Sequence, residues 1–350
     1  MTVTRLELLE FSAFQRAEID CSPGINVIIG TNATGKSHAM KALYATLKVF
    51  ETKEENLSIA SRLAAKLANV FMPEDRAAGR IVRRKSGQRQ ANVRIEGSAG
   101  RIAFSLDSEP TEQPVKVEEN TWKGESAAIY LPTREVLAMY EGFIAAYQDR
   151  ELSFDETYFD ACMALNRSAL RGPRSEEAQR LTEPLERALG GKVKLQGNRF
   201  YVVDQDGEME AHLVAEGLRK IASLAHLVNN GSLTKDGLLF WDEPEANLNP
   251  KLVKLVVELL IELGKHGVQI FLTTHDYLLS HQLSLLAEYT QHPDVPIKFF
   301  SFHREDGHGP VSVSSGATLA ELRENPILEE FNRHYDFERK LFDESTESSS

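Results

Sequence analysis

The sequence predicts an α/β protein: a buried, mainly parallel sheet flanked by helices, with an antiparallel β subdomain and a compact helical insert. Three observations predict it. Ile25 to Ile29, Ala127 to Leu131, Leu238 to Trp241 and Val268 to Thr273 are short, nearly unbroken apolar runs, as in strands covered on both faces. Residues 37–50, 250–263 and 276–288 have helical spacing and follow three of those runs. Between residues 80 and 107, Ile81, Val82, Val93, Ile95, Ile102, Phe104 and Leu106 alternate with polar residues around turns at Ser86-Gly87 and Gly97-Ser98.

Taken in order, residues 3–10 and 16–21 read as two strands around a turn at Phe11 to Phe14. Pro23-Gly24 turns the chain into the run at Ile25. Met40, Leu43, Leu47 and Phe50 share one helix face, and residues 56–71 continue in helical style. The Pro- and Glu-rich stretch 108–126 predicts a loop, and Pro132 stops the strand at Leu131. Residues 135–190 are mostly helical, broken at Gly172-Pro173. Residues 192–196 and 199–204 predict a hairpin around Gly197-Asn198, and 213–230 an apolar-periodic helix. Ile297 to Phe302 and Val311 to Val313 predict strands, and the polar tail after Phe342 predicts disorder.

Composition narrows the function classes. The 350-residue chain has a formal net charge of −12, which disfavours coating of its whole surface by nucleic acid. Its 42% apolar and 26% charged residues suit a globular core. Two distant cysteines, Cys21 and Cys162, argue against a disulfide framework or zinc site and predict a reducing cytoplasm. No apolar run approaches the roughly 18 residues of a membrane helix, and the N-terminus lacks a secretion signal's basic start and apolar core.

The sharpest motif is Gly30-Thr31-Asn32-Ala33-Thr34-Gly35-Lys36-Ser37, which fits GxxxxGK[ST] between a strand and a helix. Glycines let successive backbone N–H groups face phosphate oxygens, and the helix N-terminus adds positive potential. Lys36 reaches the β- and γ-phosphates as a point charge, and the Ser37 hydroxyl is a hard ligand for Mg²⁺. Leu238 to Trp241 ends in Asp242-Glu243, placing two carboxylates at the ligand crevice of an open sheet. Asp242 would hold Mg²⁺, directly or through water, and Glu243 would polarise the attacking water. A second cluster is basic: Arg80, Arg83, Arg84, Lys85, Arg89 and Arg94, with no acid among them. On alternating strands it predicts a positive ridge for DNA or RNA phosphate; the alternative is a solvated face paired with acids from elsewhere.

Asp242-Glu243-Pro244-Glu245-Ala246-Asn247-Leu248-Asn249-Pro250, followed by Thr273-Thr274-His275-Asp276, resembles the SMC/RecF/overcoming-lysogenisation branch of ABC-type ATPases. Leu6 to Phe11 and Gly24 to Gly30 are similar to that branch as well. The resemblance implies an ABC-type ATPase head with a compact helical insert in place of a coiled coil. It divides the chain into an N-terminal lobe 1–134 with the phosphate loop and β subdomain, an insert 135–190, a C-terminal lobe 191–335 and an acidic, Ser-rich tail 336–350. It implies ATP and Mg²⁺, and a homodimer or higher even oligomer closed around ATP. Residues 245–250 become the interface-crossing loop that includes Asn247, and His275 the switch histidine at the γ-phosphate.

The family's signature motif, which faces the partner's ATP, falls at Ala215 to Lys220 with Gly217 as its close-approach glycine. Glu216 replaces the family's serine there, with Arg219 as the compensating charge. Ala33-Thr34 replaces a more usual Gly-Ser pair, and Pro132-Thr133-Arg134-Glu135 stands where the family carries a glutamine loop. No sustained heptads occur, and about 75 residues after His275 leave no room for a further nuclease domain, typically ~100 residues. Nuclease or toxin activity is therefore expected in a separate effector controlled by this ATPase, as in anti-phage or toxin–antitoxin systems. The alternative is a RecF-like DNA-binding repair ATPase. A membrane-transporter ATPase would carry a full LSGGQ and a glutamine loop, and a non-hydrolysing scaffold would lack Lys36, Asp242 or Glu243.

Overall fold

The structure is a computed structural model. It describes all residues except 52–55, 85, 86, 88, 110–113, 125, 126, 150, 290–293, 305–308 and 348–350, so Lys85 of the basic cluster lies outside the described residues. The strands are β1 (Val3–Phe11), β2 (Phe14–Asp20), β3 (Ile25–Gly30), β4 (Gln90–Gly97), β5 (Gly100–Asp107), β6 (Val115–Asn120), β7 (Ala128–Leu131), β8 (Lys192–Gln196), β9 (Arg199–Val203), β10 (Glu208–Glu210), β11 (Leu238–Asp242), β12 (Gln269–Thr273), β13 (Ile297–Arg304) and β14 (Val311–Gly316). The helices are α1 (Lys36–Lys48), α2 (Ile59–Phe71), α3 (Phe143–Gln148), α4 (Glu156–Leu165), α5 (Pro173–Leu189), α6 (Glu216–Asn229), α7 (Pro250–Lys265), α8 (Tyr277–Glu288) and α9 (Pro326–Glu347).

The apolar runs meet in one six-stranded sheet of order β14-β13-β3-β12-β11-β7, parallel except at β14. It draws β3 and β7 from the first part of the chain and the other strands from the last. Side chains alternate across it, as strand geometry requires. Ile25, Val27, Ile29, Leu239, Trp241, Ile270 and Leu272 face one core with α6, α7 and α8. Ile28, Leu238, Phe240, Phe271 and Phe300 face the other, with α1, α2 and the antiparallel sheet β2-β1-β4-β5-β6. The stacked rings of Phe240 and Phe271, 5.0 Å apart, bind neighbouring strands on that second face. The insert shares the first core through Cys162, Leu165 and Leu185, so it is a compact helical part and not an extended arm.

Several local expectations change. Ile81 and Val82 do not form the first strand of the antiparallel unit: a 3-10 turn spans Ala78–Ile81, and Val82 makes one bridge to Phe11. Gly79 sits so close to the Asp107 carbonyl that a Cβ would fall 2.3 Å from it. The predicted loop 108–126 contains β6, whose Val115 is buried against the β5 face. The hairpin β8–β9 gains β10 as a third strand. The tail after Phe342 is helical to Glu347. Ile327 anchors the start of α9, and ion pairs Glu330–Arg333 (3.1 Å) and Lys340–Glu344 (3.8 Å) run along it.

Candidate active site

The site lies beyond the carboxyl ends of β3, β12 and β11, where an open parallel sheet leaves its crevice. β3 ends at Gly30, with φ of +151°; a Cβ there would meet the Phe302 carbonyl at 2.3 Å. The loop closes at Gly35, the α1 N-cap, with φ of +86° and the Phe14 ring 2.8 Å from where a Cβ would stand. Between them Thr34 Oγ1 donates to the Thr31 carbonyl at 2.8 Å, and Ala33 is itself left-handed at φ 61°. Arg304, at the end of β13, braces the loop by donating to the Ala33 carbonyl at 3.0 Å.

Lys36 is buried, and its Nζ donates to the Gly30 and Thr31 carbonyls at 2.8 and 2.9 Å. Burial pushes its pKa down to about 8, against the pull of Glu243, Asp242 and Glu245. Ser37 Oγ donates to Asp242 Oδ1 at 3.0 Å across the end of β12. Thr273 Oγ1, level with Asp242 on β12, donates to the same oxygen. Tyr130, buried on β7, donates to Asp242 Oδ2 at 3.2 Å. Asp242 is thus oriented by three hydroxyls from three elements.

One hydroxyl and one carboxylate oxygen side by side suit a hard cation that keeps much of its water, as Mg²⁺ does. Among the described residues no cluster of three or more His, Cys, Asp or Glu converges into a metal cage.

Glu243 follows in a left-handed conformation, φ 50°, which is rare for a residue with a Cβ. Its N–H donates to the Thr273 carbonyl at 3.1 Å, and its carbonyl accepts from Lys220 Nζ at 3.2 Å. Its Oε1 stands 3.4 Å from His275 Nε2. Burial, followed by the nearby Lys36 charge, lowers the His275 pKa, so the ring is neutral at pH 7 and the contact is a neutral one. Glu245 fixes the histidine's backbone: Oε1 accepts from Thr274 Oγ1 at 2.7 Å and from the His275 N–H at 3.0 Å. Burial raises the Glu245 pKa.

Asn32, Ala33, Gly35, Lys36, Ser37, Glu243 and His275 line one cavity of about 820 Å³; Asp242 stands behind Ser37 and does not line it. Gly217, Arg219 and Asn247 do not line it. They gather at the start of α6, where a Cβ on Gly217 would fall 2.5 Å from the Asn247 carbonyl oxygen. Arg219 does not neutralise Glu216. It donates to Glu135 Oε1 at 2.7 Å and to the Val214 carbonyl at 2.6 Å, while Glu216 accepts from Asn247 Nδ2 at 2.8 Å.

The described residues of the basic cluster do not form a ridge. Among them only Arg94 lies on a strand, 3.9 Å from Glu119. Arg83 and Arg89 approach the same Glu10 carboxylate at 3.7 and 3.5 Å, and Arg80 pairs with Glu74 at 2.6 Å. Arg80, Arg83 and Arg84 instead line the phosphate-loop cavity, on the side of Ser12 and Ala13. Sequence reading gave no individual role to Tyr130, Thr273, Lys220, Glu245 or Arg304. Thr273, Lys220 and Glu245 lay within quoted motifs, whereas Tyr130 and Arg304 carried no sequence signal.

A family profile described as "AAA domain, putative AbiEii toxin, Type IV TA system" matches residues 75–280, more than half of the chain. A second, described as "AAA domain", matches residues 1–97. The chain is similar to the DNA replication and repair protein RecF of Acidothermus cellulolyticus, 40% identical over 43 residues that are 12% of each chain. It is similar to RecF of Salmonella newport, 28% identical over 103 residues that are 29% of each. The matched part spans less than a third of the length of these curated relatives. A solved SMC head, bound to the C-winged helix domain of ScpA, covers 91% of this chain with 98% of its own at a TM-score of 0.52 and 14% identity, a likeness of fold. A chain that folds as an SMC-type head, is similar to RecF over short stretches and is matched across residues 75–280 belongs to the AAA-domain family of that first description.

Proposed function

We propose that this chain is a Mg²⁺-dependent ATPase that dimerises around ATP and uses binding and hydrolysis to control a separate effector protein in the cytoplasm. The convergence of Lys36, Ser37, Glu243 and His275 on one cavity, with Asp242 behind Ser37, supports this reading most. On binding, the loop's N–H groups take the phosphates, and the Lys36 ammonium exchanges the Gly30 and Thr31 carbonyls for phosphate oxygens. Ser37 and Asp242 would hold Mg²⁺, whose chemistry there would be to offset charge on the phosphates. Glu243 accepts the proton of the attacking water, and neutral His275 has a single ring N–H, which faces the Glu243 carboxylate here and would turn to the γ-phosphate once ATP is bound. Gly217 and Asn247 of one copy close over the ATP of the other. Arg80, Arg83 and Arg84 serve the nucleotide, because they line its cavity. The family description, with its toxin and type IV TA wording, supports a toxin–antitoxin or anti-phage setting.

The test compares wild type, Lys36→Ala and Glu243→Gln. Wild type should hydrolyse ATP only with Mg²⁺. Lys36→Ala should lose binding. Glu243→Gln should bind ATP, lose turnover at least 100-fold, accumulate as a dimer and retain its effector on purification. Turnover unchanged in Glu243→Gln would refute the assignment. Metal-dependent cleavage of DNA or RNA persisting in Lys36→Ala would refute the separate effector.

A further inference from the structure

Lys220 has no part in the mechanism above, yet it is among the most buried charged groups of the chain, 4% exposed. It lies one turn into α6, on the helix face that also carries Glu216 and Gly217. Those two residues touch Asn247, and Lys220 touches Glu243. The first turn of α6 is therefore a splint along the whole segment from Glu243 to Asn247.

Its contact with Glu243 falls on the backbone. Nζ donates to the Glu243 carbonyl at 3.2 Å, on one of the two peptides that flank the Glu243 Cα and together set the direction of its side chain. Glu243 holds φ of 50°, a strained conformation for a residue with a Cβ, and such strain persists only where surrounding groups impose it. Its N–H is tied to the Thr273 carbonyl on one side, and its carbonyl to Lys220 on the other. This is the hydrogen bond shown for the Lys220 ammonium, buried beside Glu216, Glu243 and Glu245.

We propose that Lys220 is a positioning residue for hydrolysis. It locks the Glu243 peptide in its left-handed conformation and so aims the carboxylate at the cavity beside His275. Because the same helical turn carries Gly217, Lys220 links the surface that meets the other copy's nucleotide to the carboxylate that acts on this copy's own. The inference rests on the proposed role of Glu243, but its first readout does not.

That readout is a crystal structure of Lys220→Met, an apolar replacement of similar length that leaves no buried charge unpaired. Glu243 should leave the left-handed region, and its carboxylate should move away from His275. Persistence of Glu243 at φ near 50° would overturn the proposal, whether or not the protein hydrolyses ATP. The second readout is kinetic. Lys220→Met should lower kcat at least tenfold, while affinity for a fluorescent ATP analogue stays within twofold and the melting temperature does not fall. Lys220→Arg should restore most of the rate. In a Glu243→Gln background Lys220→Met should add nothing, because it acts through that carboxylate. A multiplicative loss there, or a wild-type kcat in Lys220→Met, would overturn it. If wild type itself has no turnover, the ATPase reading fails and the Glu243 conformation alone decides the role of Lys220.

Discussion

Removing one oxygen atom, in Tyr130→Phe, isolates what holds the Asp242 carboxylate. The ring would stay in place, packed 5.2 Å from Tyr44 and 6.4 Å from Phe240. Only the donor to Asp242 Oδ2 is lost, in a buried setting where water cannot replace it. A hydrogen bond to an ionised group contributes about 1.5–3 kcal/mol net. Asp242 keeps Ser37 and Thr273 on its other oxygen, so the loss should lie near the lower end, about 1.5 kcal/mol. The assay is urea unfolding in Mg²⁺-free buffer, run as a double-mutant cycle with Asp242→Asn. Removing the carboxylate charge first should make Tyr130→Phe cost less, giving a coupling energy of about 1 kcal/mol. Tyr130→Phe should also raise the Mn²⁺ concentration for half-saturation measured by electron paramagnetic resonance, since the ligand is less well oriented. A cost below about 0.5 kcal/mol, or strict additivity with Asp242→Asn, would refute the reasoning.

Three further outcomes are expected. Free Lys36 releases its proton near pH 8 when folded but near its ordinary value of about 10.4 when unfolded. The penalty on folding is complete below pH 8, and stability should rise between pH 8 and about 10.4, where the unfolded chain binds more protons. Affinity for ATP should fall about tenfold per pH unit above 8 as the ammonium is lost, and a flat titration of a fluorescent analogue from pH 7 to 9.5 would contradict this. Gly217→Ala places a Cβ 2.5 Å from the Asn247 carbonyl and 3.0 Å from Leu248, so it should cost about 1–3 kcal/mol in urea unfolding. Arg83→Glu with Arg84→Glu should weaken nucleotide binding at least threefold while Arg94→Glu, away from the cavity, leaves it unchanged. Loss of salt-dependent DNA or RNA binding with unchanged nucleotide affinity would restore the nucleic-acid reading of the cluster.

Much of the fold could be read from residue order alone. The four apolar runs became β3, β7, β11 and β12, because a strand buried on both faces needs an uninterrupted apolar segment. The β6 strand escaped notice because its sequence, Val-Lys-Val-Glu-Glu-Asn, has one buried face whose pattern fades into charge within six residues. The α9 helix escaped because its tail is polar, and helix formation there rests on anchoring at Ile327 and on ion pairs along its surface. The net charge of −12 likewise said nothing of where the acids lie. Glu10 meets Arg89 because β1 pairs with β4, and Glu119 meets Arg94 because β6 follows across β5.

The phosphate loop was legible in the sequence alone, since its eight contiguous residues carry the phosphate-facing backbone themselves, with Arg304 only bracing it from β13. The Asp242-Glu243 pair was legible for a similar reason, as the charged end of a buried strand. What surrounds those carboxylates was decided only by tertiary structure. Tyr130 and Thr273 reach Asp242 because the sheet order sets β7 and β12 on either side of β11. Lys220 reaches Glu243 because α6 crosses the carboxyl end of that strand. Contacts of this kind depend on which strands become neighbours, and that choice is made by burial of the two sheet faces over the whole chain, so no local pattern encodes it.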